Sequence, residues 1–175
     1  MGYIIRIDDR LVHGQVVEGW LKPLSIDTVV LCSDEIYCDE ASKILFGISL
    51  PFHVKLKCLS IQQTADEIVH NEYEKNSVLI LVASLKDLYN LVKKIQEKLP
   101  GYKLPNVNIG GIRHIHGRKQ VYKALFLNKE DIEIIKKLNE LGVLLEYYVL
   151  PNDQKIYLND KIQQLEKIVT GEKSE

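Results

Sequence analysis

The residues best suited to chemistry crowd one short stretch, Arg6-Ile7-Asp8-Asp9-Arg10-Leu11-Val12-His13-Gly14-Gln15-Val16. Four charges and a histidine stand there between an apolar run and a helix-forming run. A nucleophilic imidazole needs one free ring nitrogen and a fixed orientation. A carboxylate that accepts a hydrogen bond from the other ring N–H supplies the orientation and selects the tautomer. Asp8, five residues before His13, can reach back across a loop to do so. A phosphoryl group brought to that nitrogen carries negative charge, which an arginine neutralises through paired N–H donors. Arg10 is the candidate. Gly14 lets the backbone come close to a phosphate, and the start of the next helix offers unpaired N–H groups. Spacing alone leaves a second reading open: a helix-start histidine beside a surface Asp8–Arg10 ion pair.

The elements that must position these residues follow from hydrophobic periodicity. Tyr3–Ile7 reads as a first strand and Gly14–Leu21 as a helix stopped at Lys22-Pro23. Thr28–Cys32 is a strand, Asp34–Phe46 a helix ending at Gly47, and Val54–Leu59 an alternating strand. Ser60 and Gln63 form a capping box for a helix to about His70. Val78–Ala83 is the most apolar strand and is expected to be central. Ser84 caps a helix through Lys98. After Pro100-Gly101 come a short strand Asn106–Ile109, a loose segment with His114 and His116, and a strand or edge segment Val121–Leu127. Asn128 caps a helix Lys129–Leu141 closed by Gly142, followed by a last strand Val143–Leu150 and a last helix Leu158–Val169. Strands alternating with helices imply an α/β fold: a single three-layer α/β/α domain with a mainly parallel sheet. One domain over residues 1–169 is expected, with residues 170–175 a frayed tail. In such folds ligands bind where strands end and helices begin.

Composition excludes several classes. The formal net charge is -1, which gives no whole-chain attraction to nucleic acid or an anionic membrane. The apolar runs have strand length, far short of the roughly 20 residues a bilayer span needs. No signal-peptide pattern opens the chain, so a cytoplasmic location is expected. The three cysteines, Cys32, Cys38 and Cys58, lack CxxC spacing, which argues against disulfides and a metal site; Cys32 and Cys58 read as small core residues. Neither GxGxxG nor GxxxxGK[ST] is present, against a nucleotide-binding module.

The block Arg6–Val16 closely resembles the active-site signature of the IIB subunits of the mannose/fructose/sorbose family of the bacterial sugar phosphotransferase system. Three further stretches match in order: Val30–Glu35, Asn106–Gly111 and Lys137–Val143. The resemblance covers about residues 3–168. It implies a phosphocarrier that takes a phosphoryl group onto His13 from a phosphorylated IIA protein or domain. It passes the group to a sugar held by membrane IIC and IID subunits, at the inner face of the membrane. Asp8 and Arg10 take the places of the family's orienting aspartate and phosphate-binding arginine. No metal or organic cofactor is implied, and the fold implied is the one the pattern gives. Gly14, Gln15, Ser33, Ser84, Gly110 and Gly111, at strand ends and helix starts, are the candidate phosphate- and substrate-binding residues. Ser33 and Ser84 read equally as helix caps. A regulatory phosphoprotein of the same fold is the alternative function. A homo-oligomer is left open, as is the sugar. His114 and His116 depart from the family pattern and read as exposed loop residues or as part of a pocket rim. Trp20 reads as core rather than as a sugar platform.

Overall fold

The computed structural model describes residues 2–74 and 76–171. Six parallel strands and one antiparallel strand form a sheet in the order β3-β2-β4-β1-β5-β8-β9. Its strands are β1 (Gly2–Asp8), β2 (Thr28–Cys32), β3 (Lys55–Leu59), β4 (Ser77–Val82), β5 (Val107–Gly111), β8 (Leu145–Tyr147) and β9 (Ile156–Tyr157). Only β9 runs antiparallel to its neighbour. The expected central placement of the most apolar run holds: β4 lies between β2 and β1 and is almost wholly buried. A second, two-stranded sheet pairs β6 (Lys119–Tyr122) with β7 (Leu125–Leu127).

Helices cover both faces, giving three layers. One face packs α4 (Ile61–Val69), α5 (Leu85–Lys98), α6 (Lys129–Glu140) and α7 (Ile162–Thr170) against Ile5, Ile7, Val30, Ile80 and Ile109. The other is covered by α1 (Gly14–Val16), its π-helical continuation Val17–Leu21, α2 (Asp34–Tyr37) and α3 (Glu40–Ile48), around Trp20, Val29, Leu31 and Leu79. Side chains alternate along a strand, so β1 sends Ile5 and Ile7 to the first face and Arg6 and Asp8 to the second. Trp20 is core, 1 % exposed, as its sequence context indicates.

The caps fall where expected. Ser60 and Asn128 form capping boxes with Gln63 and Asp131, and Ser84 accepts from the Asp87 N–H. Other boundaries differ. The helix expected over Asp34–Phe46 is two helices, because Asp39 turns its carboxylate onto the Ala41 and Ser42 N–H groups and starts α3 afresh. That second helix then runs through Gly47. The segment Val121–Leu127 is a hairpin folded at Lys123-Ala124. The strand expected over Val143–Leu150 is β8, which stops at Tyr147 and is followed by β9 rather than being the last; residues 149–153 form a turn closed by Asp153 Oδ2 accepting from the Leu150 N–H at 2.8 Å. Asn159–Lys161 is a 3-10 turn ahead of the last helix. Thr170, placed in the tail on sequence grounds, is the last residue of α7, which Gly171 closes at φ +82°. Residues 172–175 of the expected tail lie outside the described residues. Cys32 is buried, whereas Cys58, on the edge strand β3, is only partly so.

Candidate functional site

The site begins where β1 ends. Asp8 is its last residue, and its carbonyl accepts from the Leu11 N–H at 2.9 Å, closing a tight turn. Leu11 holds φ +56°, a left-handed conformation that side-chain-bearing residues rarely take. Burial of Leu11 and Val12 in the second core pins the turn in that strained shape. His13 follows in extended conformation as the residue preceding α1. The first-turn N–H groups of Gly14 and Gln15 have no intrahelical acceptor. Around Gly14 nothing approaches within 4 Å of a would-be Cβ, so the backbone is open to an incoming group.

Asp8 is the hub. Its Oδ2 receives hydrogen bonds from His13 Nε2 at 3.0 Å and from Arg6 Nη2 at 2.9 Å. Its Oδ1 receives the backbone N–H and Nε–H of Arg10, both at 3.3 Å. The carboxylate has no exposed surface. Burial alone would push its pKa up; the hydrogen bond from His13 and the charge of Arg6 outweigh that and hold it down at about 2. An ionised carboxylate only accepts. His13 Nε2 must therefore carry the proton, and in the neutral ring Nδ1 keeps its lone pair.

Arg10 is half-exposed. With Nε turned onto Asp8, Nη2 donates to the Gln15 Oε1 at 3.3 Å. Arg10, Gln15 and Gly111 line a cavity of about 530 Å³ with an apolar floor of Ile112, Ala124, Phe126, Val149 and Leu150. His114 and Lys123 stand on its rim, while His116 is simply exposed. A shallower depression on the other side of Arg10 is lined by Ser33, Ile36, Phe46 and Ala83.

The structure thus gathers Asp8, Arg10, His13, Gly14, Gln15 and Gly111, and treats the remaining candidates differently. Ser33 borders the second depression, but its hydroxyl caps α2 by accepting from the Ile36 N–H at 3.3 Å. Ser84 is a helix cap: it donates to Asp87 Oδ2 at 2.7 Å and accepts from the Asp87 N–H at 3.1 Å, with none of the site residues among its partners. Gly110 is buried and lines neither hollow. A Cβ there would coincide with the guanidinium of Arg6, so this glycine makes room for an arginine rather than for phosphate.

Three participants have no role assigned from the sequence. Arg6 is wholly buried and donates to Asp8, to Asn108 Oδ1 and to the Val149 carbonyl. Asn108, 1 % exposed, sits opposite it in the β1–β5 register. Arg113 grips Asp9 through its backbone N–H at 2.9 Å and its Nε at 3.2 Å, tying the β5 end to the active loop. The signal for the first two was present: a charge and an amide inside otherwise apolar strands.

A buried carboxylate bound to one imidazole nitrogen, at the carboxyl end of a mainly parallel sheet covered on both faces, is an arrangement suited to a histidine phosphocarrier of the α/β class. Residues 3–173 match the family model described as "PTS system sorbose subfamily IIB component". The chain is 32 % identical over 162 residues to the sorbose-specific EIIB component of Klebsiella pneumoniae, covering 92 % of this chain and 94 % of that one. It is 31 % identical to the fructose-specific EIIB component of Bacillus subtilis, covering 86 % and 88 %. The crystal structure of the IIBSor domain of the K. pneumoniae sorbose permease superposes with a TM-score of 0.80 at 30 % identity, covering 94 % of this chain and 98 % of that one. The chain belongs to this family: it is a IIB phosphocarrier component of a sugar phosphotransferase system, a class that phosphorylates sugars by way of phosphohistidine. Membership implies IIA and IIC/IID partners. Among the described residues, no helix is long and apolar enough to cross a membrane.

Proposed function

We propose that His13 is the residue that carries the phosphoryl group, on Nδ1. The observation supporting this most directly is the 3.0 Å hydrogen bond that commits Nε2 to a buried, ionised Asp8. The Nδ1 lone pair attacks phosphorus on the phosphohistidine of the IIA donor as the donor's N–P bond breaks. In-line transfer of this kind asks for positioning and neutralisation of the equatorial oxygens. The outward Nη groups of Arg10 and the N–H groups of Gly14 and Gln15 supply both. Phosphorylation on Nδ1 with Nε2–H retained makes the ring cationic. Asp8 faces that charge directly, as the carboxylate of a catalytic triad faces its imidazolium. A cationic ring is a good leaving group when a sugar hydroxyl, held by the IIC and IID subunits at the cytoplasmic face of the membrane, attacks the phosphorus in turn. Residues 1–169 act as one IIB domain in this reading.

The test is incubation with a purified phosphorylated IIA donor, followed by mass-spectrometric mapping at neutral pH and 31P NMR of the product. Acid-labile phosphate on Nδ1 of His13, absent from a folded His13→Ala variant, is the expected result. Full labelling of His13→Ala, or phosphate mapped to His114 or His116, overturns the assignment.

A further inference from the structure

We propose that Arg6 is a positioning residue for this transfer: anchored by Asn108, its buried guanidinium sets the Asp8 carboxylate and, through it, which nitrogen of His13 is free to react. The inference rests on His13 being the carrier.

Arg6 cannot touch a substrate. It is 0 % exposed, sealed under the active loop. Its guanidinium lies over the Trp20 ring at 4.5 Å. Nη2 donates to Asp8 Oδ2, the same oxygen that receives His13 Nε2. Nη1 is held by Asn108 Oδ1 and, at 3.3 Å, by the Val149 carbonyl. Asn108 is fixed in turn by donating Nδ2 to the Tyr148 carbonyl at 2.9 Å. The backbone of β5 is shaped for this occupant, because only glycine at position 110 leaves room for it.

Packing alone does not account for such a residue. Burying a cation is costly, and apolar replacements of buried ion pairs are often neutral or stabilising. The protein even leaves Arg6 Nε without a partner among the described residues. What the arginine supplies is a fixed positive charge that keeps a buried carboxylate ionised and its Oδ2 aimed at the ring. Arg10 also touches Asp8, but on the other oxygen, at 3.3 Å, and from a half-exposed side chain. Without Arg6, burial favours a protonated or rotated Asp8. A protonated carboxyl can donate to Nε2, which moves the ring proton to Nδ1 and removes the reactive lone pair.

The experiment compares wild type, Arg6→Met, Asp8→Asn and the double variant. Folding is checked by circular dichroism and thermal melting, the His13 tautomer by 15N NMR, and transfer from phosphorylated IIA by rapid quench. The expected wild-type ring is the Nε2–H tautomer. Arg6→Met is expected to populate Nδ1–H and to slow phosphoryl acceptance at least tenfold, with the double variant no slower than the worse single one. Such non-additivity marks residues that act through one another. Arg6→Lys restores part of the rate by returning the charge. Should Arg6→Met not fold, Asn108→Ala loosens the anchor while keeping the charge, and the same tautomer shift and non-additivity with Asp8→Asn are expected of it. An unchanged tautomer in a folded Arg6→Met or Asn108→Ala protein, or rate losses that multiply with that of Asp8→Asn, overturns the proposal. Wild-type labelling at a residue other than His13 would instead overturn the carrier assignment, so the two failures are distinguishable.

Discussion

Arg10 commits its Nε and backbone N–H to Asp8 and turns its Nη pair outward beside Gln15. Asp8 and Arg10 thus hold one another, and in the proposed reading the outer edge of the guanidinium meets the phosphoryl oxygens. Lysine at this position keeps the charge but offers neither the Nε–H for Asp8 nor a planar pair of donors. Arg10→Lys is therefore expected to cost about 1.5–3 kcal/mol in the transition state, roughly a tenfold to hundredfold slower transfer. Arg10→Ala should cost more. Rapid-quench rates at low and high ionic strength check this, because a docking role by long-range charge is screened by salt whereas a direct clamp is much less so. A silent Arg10→Lys would remove Arg10 from the phosphate site and leave His13 to backbone donors.

Two strands and the turn between β1 and α1 make the site. β1 delivers Arg6 and Asp8 on one face, and β5 answers with Asn108 opposite and Gly110 where a side chain would collide. Arg113, just after β5, binds Asp9 and so holds the two strand ends together above the sheet. Gly110→Ala should displace the Arg6 guanidinium. Overpacking of this kind typically costs about 1–3 kcal/mol, a fall in Tm of roughly 2–12 °C for a domain of this size. Phosphoryl acceptance should slow along with it. Gly14→Ala, at a position with open space, should leave stability within about 0.5 kcal/mol of wild type. Thermal unfolding of the two variants side by side separates a glycine needed by the fold from one placed beside the reacting group. Equal losses of stability would mean that Arg6 can move aside without cost.

At the scale of the whole domain, the site's charges enter the pH dependence of folding. Asp8 is held at about 2 in the native state against an ordinary 3.8. Above about pH 5 it is ionised in both states and its stabilisation is fully present. As pH falls further, the unfolded chain binds a proton before the native one does, and the stabilisation is lost progressively toward pH 2. The size is on the order of 2 kcal/mol. Asp27, Asp39 and Asp66 are shifted in the same direction by their own hydrogen bonds and deepen the acid limb. Urea unfolding of wild type and Asp8→Asn between pH 5 and 2 should show the gap between the two narrowing as pH falls. A gap constant across that range would mean that Asp8 is not ionised against its burial.

The order of strands and helices, the caps at Ser60, Ser84 and Asn128, and the grouping of Asp8, Arg10 and His13 were legible in the sequence, because each depends on residues a few positions apart. Local spacing misled at Asp39, whose cap splits one helix into two, and at Val149-Leu150, where the end of an expected strand belongs to a turn. It also drew Gly110 into the site by its position at a strand end, although that glycine makes room for Arg6, and it left Ser84 open between the site and a helix cap, of which the structure shows the cap. Those outcomes were decided by tertiary structure. A buried guanidinium needs partners on several sides at once, and the ones it finds, Asn108, Val149 and Trp20, come from segments far apart in the chain. Only the packing of β1 between β4 and β5, under α1, brings them to Asp8, the partner of His13 Nε2.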